Sequence, residues 1–290
     1  MYEKSFPEFA DNEFIVYQKE RYTYRQIYDH VCKLSRCLVE EFGVKKGDRI
    51  AVAMRNYPEW ISSFVAISGM GCTVVPLNGW WKTHELEYGL TDSKTKVLIC
   101  DDVRLNRVAP LLGKLNIPAI VTRGPTSTPF RRYEDIIGRQ EDSKGWFYFP
   151  HGKNDDFALM YTSGTTGFPK GVVCTHRGVC NSLEMTRLAV SVIDKFMAKP
   201  EGQVCTILPV PLFHVTATHH NVLPRFIDGG RIILMRKWDP LEGLKLIQRE
   251  RPQRWTGVPT MVQDMMEHPD FKKYDTTSLT LIGGGGHRHR

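Results

Sequence analysis

An apolar run, Phe157-Ala158-Leu159-Met160-Tyr161, empties directly into Thr162-Ser163-Gly164-Thr165-Thr166-Gly167-Phe168-Pro169-Lys170-Gly171, and no other stretch limits the fold so tightly. The run has the length and composition of a buried strand. The loop behind it carries four hydroxyls, three glycines and one lysine. Gly164 and Gly167 let the backbone turn with its N–H groups inward, the hydroxyls add donors, and Lys170 supplies a compact charge able to follow a polyphosphate. A flexible surface turn is the plainer use of such a composition. The spacing is neither that of a Walker loop nor that of a dinucleotide fingerprint.

Around this stretch, strand and helix signals alternate, which argues for parallel α/β layers. Thr23 and Gln26 form a capping box, Ile27, Val31, Leu34 and Leu38 recur at helical spacing, and Gly43 is placed to stop that helix. Strands are expected over 49–54, 73–77, 96–100 and 118–121. Gly124-Pro125-Thr126-Ser127-Thr128-Pro129 reads as a linker, followed by a charged, irregular surface crossing to about residue 154. Beyond the loop a helix is expected over 176–197, strands over 203–209 and 231–235, and a helix capped by Asp239 with a Leu241, Leu244, Ile247 stripe. Trp255-Thr256-Gly257 ends another strand, a further helix starts near Thr260, and Leu279-Thr280-Leu281-Ile282 runs into four glycines.

Composition excludes several classes. With 41% hydrophobic and 24% charged residues the 290-residue chain is not of disordered type, and its length suits one large or two modest domains. Lys and Arg exceed Asp and Glu by 39 to 32, a mild excess suited to anionic small molecules. No basic run with interleaved aromatics points to nucleic acid. Seven cysteines without C-x-x-C spacing imply neither a disulfide framework nor a zinc ribbon, and the N-terminus lacks the pattern of a signal peptide. Cytoplasmic residence with reduced thiols is expected. The uncharged stretch 60–81 is long enough to span a bilayer, but its serines, glycines and Pro76 divide it into a buried helix and a buried strand, so no transmembrane segment is expected. Trp80 and Trp81 are read as core residues.

Tyr161 to Gly171 resembles, residue for residue, the phosphate-loop signature of the adenylate-forming enzymes: acyl-CoA synthetases, adenylation domains and luciferases. Pro211-Leu212-Phe213-His214 resembles the family element at the mouth of the acyl pocket. Val75-Pro76-Leu77-Asn78-Gly79-Trp80-Trp81 and Trp255-Thr256-Gly257-Val258-Pro259-Thr260 look like fatty acyl-CoA synthetase segments. The resemblance implies the layered αβαβα N-terminal domain of that superfamily, truncated. Its parts are a first α/β subdomain (1–122), an irregular linker (123–154), a second α/β subdomain with the phosphate loop (155–286) and a tail (287–290), with the C-terminal domain absent. It implies ATP, Mg2+ and coenzyme A as ligands, a small apolar carboxylic acid such as a fatty acid as substrate, and AMP-forming ligation as the reaction.

The resemblance also distributes roles. Thr162, Ser163, Gly164, Thr165, Thr166, Gly167, Lys170 and Gly171 would hold the nucleotide phosphates, with Thr166 at the metal and Lys170 and Thr165 assisting departure of pyrophosphate. Gly284 and Gly285 would pack against adenine. Phe213, His214 and Gly257 would meet the acid, and His214, at the carboxyl end of a strand, would also take part in catalysis. His219 and His220 make no metal pattern and read as helix residues. The family's later Tyr-Gly-x-Thr-Glu and Thr-Gly-Asp motifs are missing from this sequence, as is the domain with the mobile lysine. Three readings stay open: a partial acyl-CoA synthetase, inactive alone; a non-catalytic product that binds nucleotide or pairs with a relative; and a gene-model fragment.

Overall fold

The computed structural model describes residues 1–139, 145–162, 167–196 and 202–284. Contacts gather the chain into two compact units: Met1–Gln26, Asn56–Pro58 and Ser182–Arg290 form one, Ile27–Arg55 and Glu59–Asn181 the other. Among the described residues the strands are β1 (Glu13–Tyr17), β2 (Glu20–Thr23), β3 (Arg49–Ala53), β4 (Thr73–Pro76), β5 (Val97–Asp101), β6 (Ala119–Thr122), β7 (Arg131–Arg132), β8 (Asp156–Tyr161), β9 (Gly171–Thr175), β10 (Cys205–Leu208), β11 (Arg231–Leu234), β12 (Arg254–Gly257) and β13 (Leu281–Gly284). Each unit contains one sheet. The chain is shared between the sheets in a way that no linear cut reproduces.

The unit containing the loop has the order β7-β6-β5-β3-β4-β8-β9, parallel throughout except that β9 runs antiparallel to β8. Strands β4, β5 and β6 are buried along their whole length, as expected of parallel strands covered on both faces. Their bounds lie within a residue or so of the sequence expectation. The uncharged stretch becomes the helix Pro58–Gly69 followed by β4, with Trp60 and Phe64 fully buried. No helix among the described residues is long and apolar enough to cross a membrane.

Two expectations for this unit need correction. Trp81 is core at 7% exposure, but Trp80 is 51% exposed, and the Arg55 guanidinium lies 4.9 Å from its ring centroid. The tandem tryptophans cannot both face inward, because the chain turns between β4 and the next helix. The supposed surface crossing also holds structure: β7 and the helix Tyr133–Ile137 lie within it, and Tyr133 is fully buried with its hydroxyl 2.6 Å from that of Ser62.

The other unit has the order β13-β12-β10-β11-β1-β2. The capping box at its start forms as read: Gln26 N–H donates to Thr23 Oγ1 at 3.3 Å and Thr23 N–H to Gln26 Oε1 at 2.8 Å. Asp239 likewise caps the helix Pro240–Glu250, accepting from Glu242 N–H at 2.9 Å. The helix Tyr2–Glu8 and the hairpin β1–β2 were not anticipated. They are held by distant partners, since β1 pairs in parallel with β11, and Phe14 stacks on Tyr24 at 4.2 Å beside Phe226. Gly229 ends the helix Leu223–Asp228 at φ +63°, and a Cβ there would lie 2.5 Å from the Phe9 ring. Gly229→Ala should therefore cost about 1–3 kcal/mol, from backbone strain plus overpacking. A denaturant midpoint unchanged from the parent would contradict this packing.

Candidate nucleotide and acid sites

The organising loop is closed at its neck. Thr162 N–H donates to the Lys170 carbonyl at 3.0 Å and the Thr162 hydroxyl to the same oxygen at 3.4 Å, so the chain leaves β8 and returns to β9 through one point. Ser163, Gly164, Thr165 and Thr166 lie outside the described residues. Gly167 stands at φ +127°, a backbone region closed to side-chain-bearing residues. Gly171 opens β9 opposite Tyr161, where a Cβ would come within 2.9 Å of Leu159 Cδ1.

The returning limb is fastened to the helix Thr83–Asp92. Phe168 stacks on Tyr88 with centroids 4.6 Å apart, and the Tyr88 hydroxyl donates to the Pro169 carbonyl at 3.1 Å. Tyr161 donates to Asp92 Oδ2 at 2.6 Å; burial first and that carboxylate second push the phenol's pKa up, so it remains a donor. Lys170 itself is exposed and, among the described residues, makes no ion pair. An ammonium left without a carboxylate beside a loop of donors can neutralise a polyanion.

In the other unit, strands β10, β12 and β13 are mutually parallel, so the segments leaving their carboxyl ends share one edge of the sheet. Phe213 and His214 follow β10. The register pairs Gly257, the last residue of β12, with Gly284, the last of β13; Gly285 lies outside the described residues. Gly257 has a local reason to be glycine, because a Cβ would sit 2.4 Å from Nε1 of the buried Trp255.

His214 caps the short turn Val215–Ala217. Its Nδ1 accepts from Thr216 N–H at 3.2 Å, which leaves the proton on Nε2, and burial holds its pKa below the usual histidine value. The ring thus offers a neutral donor from an exposed position. His219 is buried with Nδ1 2.9 Å from the Thr218 hydroxyl, while His220 is exposed, both within a π-helical turn, Thr218–Val222.

Sequence reasoning missed Asn56. Its Oδ1 accepts from Leu212 N–H at 2.9 Å, and its Nδ2 donates to the carbonyls of Val210 at 2.9 Å and Met235 at 3.0 Å. One buried amide thereby sets the path of the Pro-Leu-Phe-His segment. An asparagine before Tyr57-Pro58 looks like ordinary turn chemistry, and only its distant partners reveal the role. For magnesium, no group of three His, Cys, Asp or Glu side chains converges among the described residues, and Thr166 lies outside them.

Residues 2–289 match the family described as AMP-binding enzyme. A feruloyl-CoA synthase of an Amycolatopsis species is 33% identical over 267 residues, covering 91% of this chain and 49% of that protein. The long-chain-fatty-acid–CoA ligase of Bacillus subtilis is 28% identical over 297 residues, covering 93% and 52%. The structure of the anthranilate CoA ligase AuaEII with anthranoyl-AMP superposes with a TM-score of 0.88 at 23% identity, covering 99% of this chain and 54% of that one. The chain spans about half the length of the curated relatives it matches. Over that half the fold is that of the N-terminal domain of adenylate-forming enzymes, and the chain belongs to the AMP-binding enzyme family.

Proposed function

We propose that this chain is the ATP-handling part of an AMP-forming carboxylate–CoA ligase acting on a fatty or other largely apolar acid. The observation that supports this most is Lys170: a cation that makes no ion pair among the described residues, on a return limb anchored by Tyr88 and closed by Thr162. In such a reaction the carboxylate oxygen attacks the α-phosphorus, the bond to the bridging oxygen breaks, and negative charge gathers on departing pyrophosphate. Donors already fixed in place stabilise that charge without reorganising. Lys170 and the loop hydroxyls would supply them, and His214 Nε2–H would face the acid. The thiol of coenzyme A then displaces AMP from the acyl-adenylate. All seven cysteines are unpaired, which supports a reducing, cytoplasmic setting.

A nucleotide-binding chain that does not complete the reaction is the second reading, favoured by the half-length span of the match. Two measurements on Lys170→Ala test both. In the 290-residue chain, Mg·ATP affinity by equilibrium dialysis should fall roughly ten- to a hundredfold, the value of a hydrogen bond to a charged group. In a chain extended by the half that its relatives carry, acid-dependent exchange of pyrophosphate into ATP should fall about a hundred- to a thousandfold, as for other lost donors to developing charge. A change within twofold in both would exclude the loop from phosphate binding. Exchange absent from the extended parent would leave the second reading.

A further inference from the structure

On one face of the β13-β12-β10 sheet lies a cavity of about 220 Å³, covered by the helix His176–Phe196 and the helix Leu223–Asp228. Strand alternation puts Thr206 and Thr256 on this face and turns the Trp255 side chain to the other, where it packs with Leu244 and Ile247. Val190, Pro224, Ile227 and Leu281 give the cavity apolar walls. Thr256 and Gly283 line it next to Gly257 and Gly284, at the carboxyl edge of the sheet that Phe213 and His214 also follow.

The opposite end is barred. Arg225, 3% exposed, reaches from the helix Leu223–Asp228 to β10, where its Nη1 donates to Oγ1 of the equally buried Thr206 at 2.9 Å; its Nη2 pairs with Asp228 Oδ2 at 2.7 Å. Thr206 is in register with Arg254, three residues before Gly257, so this bar stands roughly 10 Å from the reactive edge. Pushing it aside would strip a buried guanidinium of its partners, and incoming methylene groups cannot replace them. The volume points to the same size as the depth. An apolar cavity of about 150 Å³ takes up benzene, and at roughly 30 Å³ for each water-sized group the remainder admits about two more carbons.

We infer that the Arg225–Thr206 contact is a chain-length stop, and that the acid taken here is of medium size, an alkyl chain of about eight carbons or one ring on a short arm. Long-chain fatty acids are excluded by the bar. The inference rests on the ligase reading for which end of the cavity is reactive. Each methylene buried in an open apolar tunnel tightens binding about fourfold, so without a stop dodecanoate would bind roughly two hundredfold more tightly than octanoate. Against the stop its four extra methylenes gain little, because they stay in water.

The test is calorimetric titration of butyrate, octanoate and dodecanoate, each below its micellar concentration, into the 290-residue chain without ATP. Octanoate should bind more than about tenfold more tightly than butyrate, while dodecanoate should gain less than about tenfold over octanoate. Arg225→Leu removes the bar and keeps the wall apolar, so it should return a gain of about tenfold or more to dodecanoate. Val190→Phe, on the covering helix, fills the cavity and should weaken octanoate by about tenfold or more with little effect on butyrate. The parent and Val190→Phe comparisons hold even if Arg225→Leu does not fold. A larger dodecanoate gain in the parent, no such gain in a folded Arg225→Leu, or octanoate affinity unmoved by Val190→Phe would each overturn the inference. Failure of the ligase reading would show differently, as absent pyrophosphate exchange with the chain-length limit intact.

Discussion

Asp101→Ala should destabilise the protein by about 3–5 kcal/mol, the cost of leaving a buried charge without its partner. Asp101 and Arg104 are each 2% exposed and are joined at 2.8 Å. The aspartate does more than pair. Its Oδ1 accepts from Arg104 N–H at 2.9 Å as the cap of the helix Asp102–Leu115, and its Oδ2 accepts from Arg55 N–H at 3.1 Å. Arg104 is held in turn by donation from Nε to the Gly79 carbonyl at 2.7 Å. Truncation therefore orphans a guanidinium, a helix end and a loop N–H together. Asp101→Asn keeps the cap and loses the charge, so it should fall between Ala and the parent. The measurement is the urea midpoint at constant slope; a loss under 1 kcal/mol for Asp101→Ala would mean that Arg104 escapes to solvent.

Acid should weaken the fold well above the carboxylate range. Burial lowers the pKa of His30 to about 4, and burial, followed by the neighbouring His220, lowers that of His219 to about 4. Below the ordinary histidine pKa of about 6.5 the unfolded chain takes up protons that these two rings refuse. Stability is then full above about pH 6.5, declines as the pH falls toward 4, and levels off below that. Each ring contributes a slope of about 1.4 kcal/mol per pH unit, or up to roughly 3 kcal/mol across the window. His176, also lowered to about 4 by burial, is more accessible and adds less. Urea midpoints at pH 7, 6 and 5 check the sign. Replacing His30 and His219 together by Gln should flatten the profile whatever it does at pH 7, and an unchanged slope would assign the acid sensitivity elsewhere.

The parts of the fold that were legible in the sequence are those whose signals are local. The apolar run of β8 and the glycine-lysine loop behind it are contiguous, and β3 to β6 announce themselves as short buried runs between turns. The parts that were not legible depend on partners far along the chain. β1 is defined by β11, the depth of Tyr133 by Ser62, and the role of Asn56 by carbonyls at Val210 and Met235. For the candidate site, residue types could be read but not their restraints. Nothing near Lys170 in sequence says that Tyr88 anchors its limb.

The pairing of β1 with β11 also sets an order of events during synthesis. Ile15 lies opposite Ile232, so the first hairpin cannot find its place in the sheet until about two hundred further residues have left the ribosome. At the usual pace of translation that is a wait of roughly 10–40 s. Ile15 and Val16, each fully buried in the finished fold, lack their β11 partners for that time. The newborn chain therefore needs shelter at its first strand until β11 has emerged.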